Sequence, residues 1–183
     1  MKNLIYDKES ISHFSGGYIL VDNTALIESS REHNNPMLQF LDILSNLNCD
    51  LITTPSVHHE FIRGAKNLVQ NNDFIKMFDE LGIEVLKNTE VLFTSKENAL
   101  FRIAYCQEAK RASFTDTELA VTAYQYRNNN VGILTENYRD FPSSLFKRTS
   151  YIAFSHQDSI RTHAIFTVQL EQILKRTFSK YIN

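Results

Sequence analysis

Four carboxylates stand at the ends of apolar runs or one helical turn beyond them: Asp22 in LVDNTALIE, Glu60 in TPSVHHEFIRG, Asp116 in SFTDTELAVTAYQYR and Asp140 in ILTENYRDFP. Brought together, such acids repel one another and desolvate badly. A divalent cation relieves both costs, and hard cations such as Mg²⁺ and Mn²⁺ take oxygen ligands. A carboxylate-held Mg²⁺ keeps waters and completes its shell with substrate phosphates. That arrangement hydrolyses phosphodiesters, and a second ion roughly 3.5–4 Å away can stabilise the leaving oxygen.

Each acid also has a local alternative. Asp22 reads as the N-cap of a helix beginning near Thr24. Glu60 lies three residues after Val57, so it is expected to lean toward the buried side of its helix, where it must be paired or bind a metal. Its alternative partner is Arg63 at i+3. Asp116 starts an apolar helical face continued by Leu119, Ala120, Ala123 and Tyr124. Thr115-x-x-Glu118 matches a capping box, which leaves Asp116 without a capping role and Glu118 as a solvated or capping residue. Asp140 precedes Phe141-Pro142 and reads as a turn residue. Thr135 and Asn137 lie at the same end of the apolar run as Asp140.

The elements that must position these side chains alternate. Short apolar runs at 18–21, 51–54, 83–86, 131–135 and 151–154 read as strands. Helical patterns at 36–48, 56–66, 72–81, 96–110 and 116–127 separate them; in the first, Met37, Phe40, Leu41, Leu44 and Leu47 follow i, i+3, i+4, i+7 spacing. This predicts an α/β fold with a central, mostly parallel five-stranded sheet flanked by helices. Ligands in such sheets bind beyond the carboxyl ends of the strands, where the four acids stand. The tail over 158–182 carries Phe166, Leu170, Ile173, Leu174, Phe178 and Tyr181 at helical spacing. It predicts an extra C-terminal amphipathic helix, packed on the core or on a partner.

With 183 residues, 43% of them hydrophobic, the chain suits one domain with a sizeable core. The net charge of −2 gives no global basic signal for nucleic acid, though a local patch would suffice. Cys49 and Cys106, the two cysteines, form neither a disulfide framework nor a zinc pattern. No signal peptide or membrane-spanning run is seen, so a soluble cytoplasmic protein with no membrane partner is expected. His58-His59-Glu60 lacks H-E-x-x-H spacing. Gly16-Gly17 precedes the first apolar run rather than following it, which excludes phosphate-cradling nucleotide loops. No G-x-S-x-G elbow is present. Arg63, Lys66, Arg139, Lys110-Arg111 and Lys147-Arg148 flank the acids and are candidate phosphate contacts, and Tyr138 is a candidate base-stacking side chain.

The order LVDNTALIE, TPSVHHEFIRG, FTDTELAVTAYQYRNNNVGILTENYRDFP resembles PIN-domain ribonucleases, the group that includes VapC-type toxins of toxin–antitoxin pairs. DTELAVTA followed by a short strand and LTENYRDF is the most specific piece. The resemblance covers about residues 18–155 and implies a single PIN-like, flavodoxin-like domain over 1–183, with a helical extension over about 156–183. It implies strand order 3-2-1-4-5 and Mg²⁺- or Mn²⁺-dependent cleavage of RNA leaving a 5′-phosphate and a 3′-hydroxyl. Asp22, Glu60, Asp116 and Asp140 match the family's acidic quartet. Asp22 and Asp116 are then expected to ligate the metal directly, and Glu60 and Asp140 to act through water. Thr135 and Asn137 would support them. A toxin with an antitoxin partner, an RNA maturation or decay nuclease, and a non-catalytic scaffold binding RNA or protein all remain open, as does a homodimer. Many members of the family carry a further acid where this chain has Asn137, and the tail after Ser155 matches no motif of the family.

Overall fold

The computed structural model describes residues 4–31, 35–87, 94–156 and 159–169. Among these residues are seven helices and one seven-stranded mixed sheet, an α/β arrangement. Its parallel part is β2 (Tyr18–Val21), β3 (Asp50–Thr53), β4 (Glu84–Val85) and β5 (Val131–Thr135), ordered β4-β3-β2-β5. Strands covered on both faces read as unbroken apolar runs, as YILV and VGILT do here.

The helices begin where the side chains can cap them. Thr54 accepts the Val57 N–H ahead of α4 (Pro55–Arg63), whose first position is proline. Asn35 does the same for α3 (Pro36–Asn46), and Asn67 for α5 (Leu68–Leu81). Gly82, at φ +63°, ends α5 in the left-handed conformation that glycine adopts without strain. The remaining helices are α1 (Lys8–Ser12), α2 (Asn23–Ser29), α6 (Lys96–Glu108) and α7 (Phe114–Gln125). Phe101 of α6 stacks on Tyr124 of α7 with ring centroids 4.3 Å apart, and Phe141 meets both Phe146 and Phe166.

The antiparallel part departs from expectation. β6 (Phe146–His156) and β7 (Ser159–Val168) pair along their whole lengths, with a register shift between Arg148 and Ser150. β1 (Leu4–Tyr6) adds to the outer edge of β6, and β7 pairs with β5. The sheet order is therefore β1-β6-β7-β5-β2-β3-β4. The sheet is thus larger and more mixed than the predicted five-stranded, mostly parallel one. The fifth predicted strand, within β6, does not neighbour β5 because β7 lies between them.

The predicted C-terminal helix is also corrected. Phe166, assigned to its apolar face, lies in β7, and residues 159–168 are strand. Short apolar runs such as Ala164-Ile165-Phe166 satisfy either periodicity, and here two flanking strands take up the backbone hydrogen bonds. The rest of that predicted helix, 170–182, lies outside the described residues. Among the described residues no helix is long and apolar enough to cross a membrane.

Candidate active site

Asp22 follows β2 and caps α2, so the expected capping role holds. Its carboxylate accepts hydrogen bonds from the Asn23 N–H at 2.7 Å, Thr24 Oγ1 at 2.9 Å and Thr135 Oγ1 at 2.6 Å. The parallel register Val21↔Leu134 explains the last contact, since it sets the residues after β2 beside the end of β5. Thr135 Oγ1 in turn accepts the Asn137 N–H at 2.9 Å, and Thr24 Oγ1 accepts the Glu136 N–H at 3.1 Å. Two hydroxyls thus fasten the loop after β5 to the start of α2. Burial pushes the Asp22 carboxyl above the ordinary carboxylate range despite these three bonds, and the nearby charge of Asp116 adds to the rise.

Asp116 has the capping job it was expected to lack. The N-cap of α7 is Ser113, and the capping box is Ser113-x-x-Asp116 rather than Thr115-x-x-Glu118. Asp116 Oδ2 accepts both the Ser113 N–H at 2.8 Å and Ser113 Oγ at 2.6 Å. Both bonds fall on one oxygen. Thr115, one residue away, donates its hydroxyl to Glu60 Oε1.

Glu118, expected to be a solvated or capping residue, is buried rather than solvated, and its Oε2 accepts the Ser56 N–H at 3.2 Å. It brings a negative charge to the N-terminal end of α4, where the helix dipole favours one. The reason is tertiary: every residue of α7 from Thr115 to Tyr124 is buried, so this helix has no solvated face along that stretch.

Glu60 is exposed, not turned to the buried side of α4. Val57 and Phe61 make the buried stripe, and Glu60 sits beside it. Its partner is Thr115 rather than Arg63, which ties α4 to the start of α7 next to Asp116.

Asp140 is half-buried, and the side-chain amide of Asn137 donates to its carboxylate. Tyr105 of α6, fully buried, donates its hydroxyl to the Asp140 carbonyl at 2.8 Å. Burial raises the Asp140 carboxyl, and Asp116 raises it further, while Asn137 and Arg139 oppose the rise. The Tyr105 phenol is held neutral by burial and by the charges of Asp116, Asp140 and Asp22. Asp116 is therefore within electrostatic reach of both Asp22 and Asp140.

The four acids do not form one tight shell. Among the described residues no group of three or more His, Cys, Asp or Glu side chains is gathered closely enough to hold a metal ion. The donor chemistry still fits a hard divalent cation. All the candidate ligands are carboxylate oxygens, and Mg²⁺ binds through one or two carboxylates with water completing its shell. The carboxyls of Asp22 and Asp140, raised by burial, are groups whose charged form a bound cation would stabilise.

Arg139 stands beside Asp140, whereas Arg63 and Lys66 are exposed near the far end of α4. His58 packs edge-on against Phe78, a core contact that accounts for it without a metal. Tyr138 packs on Phe166, with ring centroids 5.9 Å apart. Sequence reasoning missed Ser113, Thr24 and Tyr105. Ser113-x-x-Asp116 was legible as an alternative box, while Tyr105 gave no signal because only the tertiary fold brings it beneath Asp140. Comparison of the chain with family models, with curated proteins and with solved structures found no match.

Proposed function

We propose that this chain is a PIN-type, Mg²⁺- or Mn²⁺-dependent endoribonuclease. The observation that carries this reading is electrostatic. Asp22 and Asp140 follow β2 and β5 at one end of the sheet, and both carboxyls are raised by burial and by the charge of Asp116. Acids held so are unfavourable as structural groups and common at functional sites.

Asp22 and Asp116 are the residues that would hold the ion. Bound there, it would polarise a phosphoryl oxygen and make a bound water more acidic. Asp140, with its raised carboxyl, is a stronger base than an ordinary aspartate and would take a proton from the attacking water. Its orientation comes from the Asn137 amide and the Tyr105 hydroxyl. Glu60, steadied by Thr115, would position water on the other flank. Thr24 and Thr135 hold the Asp22 carboxylate in one orientation.

The test is cleavage of RNA by purified protein in Mg²⁺, Mn²⁺ or EDTA, with Asp116→Asn alongside. Metal-dependent products with 5′-phosphate ends, absent in the variant, support the reading. Equal cleavage by both proteins sinks it. A toxin would also arrest growth on expression, with relief by Asp116→Asn.

One observation favours a second reading, a PIN scaffold that binds without cutting. Each of the four acids already has an intramolecular hydrogen bond, and among the described residues no three are gathered for an ion. Calorimetry separates the two: Mn²⁺ binding lost in Asp22→Asn favours the nuclease, and no binding by the wild type favours the scaffold.

A further inference from the structure

A cavity of about 440 Å³ opens directly beside Asp140. Lys110, Arg111 and Arg139 line it together with Asn137, Asp140 and Glu108. The cations come from two segments far apart in sequence, the α6–α7 connection and the loop after β5. All three are exposed, and none forms an ion pair among the described residues. Lys110 and Arg111 follow the C-terminal end of α6, where the helix dipole alone would favour positive charge. Arg139 has no such reason to be there. Glu108, the opposing acid, is engaged by the Ser144 hydroxyl at 3.1 Å.

We infer that this cavity seats the backbone of an RNA strand next to its scissile bond, with Lys110, Arg111 and Arg139 on the phosphates. The inference rests on the nuclease reading for its substrate and adds the side from which the strand reaches the acids. Size supports a nucleotide rather than a bare ion, since ligand sites span roughly 300–1,000 Å³. Charge supports a phosphodiester, because the three cations of the lining outnumber its two carboxylates, Glu108 and Asp140, and so attract an anion. The shared wall matters most: Asn137 and Asp140 belong both to the cavity and to the acid site, so a strand lying here passes the proposed base.

The experiment measures binding of a short single-stranded RNA to the full chain in EDTA, which keeps it separate from catalysis. Affinity is followed over a range of KCl concentrations. Each phosphate contact contributes about 0.7 to the slope of log affinity against log salt for a single strand. Lys110→Gln, Arg111→Gln and Arg139→Gln are each expected to lower the slope by about that amount. Lys76→Gln on α5, a surface cation paired with Glu80, is the control and is expected to leave it unchanged. Exposed positions such as these tolerate substitution, and a thermal melt of each variant verifies that it is folded.

Unchanged slopes in all three variants overturn the inference, as does an equal loss in Lys76→Gln. Competition by inorganic phosphate as effective as by the oligonucleotide also overturns it, since the seat would then take a free anion. Failure of the nuclease reading looks different: binding that depends on the three cations, with no cleavage in Mn²⁺, removes the chemistry and leaves the seat.

Discussion

Asp22 shows how one residue serves both fold and site. Its raised carboxyl means that its contribution to stability is fully present below the unfolded value near 3.8 and is lost as pH rises through the folded value. At neutral pH the charged form is therefore a cost. Asn is as good an N-cap as Asp, so Asp22→Asn removes the charge and keeps the cap. The variant is expected to be more stable than the wild type at pH 7, with the gain shrinking toward pH 4. Urea denaturation at the two pH values reads this directly. His163 titrates in the opposite sense. It is fully buried and stacked on Phe154, and burial lowers its pKa to about 4. A depressed base contributes stability above its unfolded value near 6.5 and loses it as pH falls from there toward 4. The loss is on the order of 3 kcal/mol, opposed in part by Asp22 and Asp140. In His163→Leu the acid-induced fall in melting temperature between pH 6.5 and 4 should largely vanish. A fall of the same size in the variant would assign it to other groups.

Among the elements, β5 is the most constrained. It pairs with β2 on one side and β7 on the other, and every residue in it is buried. Gly132 sits where a Cβ would lie 2.4 Å from Ile165 Cγ2 and 2.8 Å from Phe14 Cε1. Gly132→Ala therefore forces β7 or the segment after α1 to shift, and about 1–3 kcal/mol of stability should be lost. Adding Ile165→Ala relieves part of the clash, so the double variant should lose less than the two single losses combined. Additive losses in chemical denaturation would show that the strand relaxes without touching Ile165. α7 is constrained in a different way. It carries Asp116 at its start, while its buried Glu118 meets the start of α4, so one helix sets the position of two candidate site elements.

For the whole molecule, the central place of β7 has a clear consequence. Residues 159–168 join the parallel half of the sheet to β6 and β1. A fragment ending at Ser155 leaves β5 paired with β2 alone and β6 without its longest pairing. It is expected to lose cooperative thermal unfolding, as read by circular dichroism. A sharp transition near that of the full chain would show that the parallel half stands alone.

Much of the parallel half is legible in the chain's own residues. Tyr18–Val21 and Val131–Thr135 are short apolar runs bounded by polar or turn-forming residues, and both are strands. The helices from 36 onward are legible from their spacing, with ends shifted by a few residues; caps such as Thr54 and Asn35 set where α4 and α3 begin. The positions of Asp22 and Asp140 at strand ends are legible for the same reason, because local signals mark where an element stops. The antiparallel half is not. Ala164-Ile165-Phe166 fits a helix or a strand, and only pairing with β5 and β6 decides between them. The orientations of Glu60 and Glu118 are likewise decided by packing. α7 is enclosed along most of its length, so Glu118 is inside, while Val57 and Phe61 take the covered side of α4 and leave Glu60 outside. By itself the sequence determined which residues could carry charge to the end of the sheet. The tertiary structure decided which of those charges lost their water, because desolvation depends on neighbours that are remote along the chain.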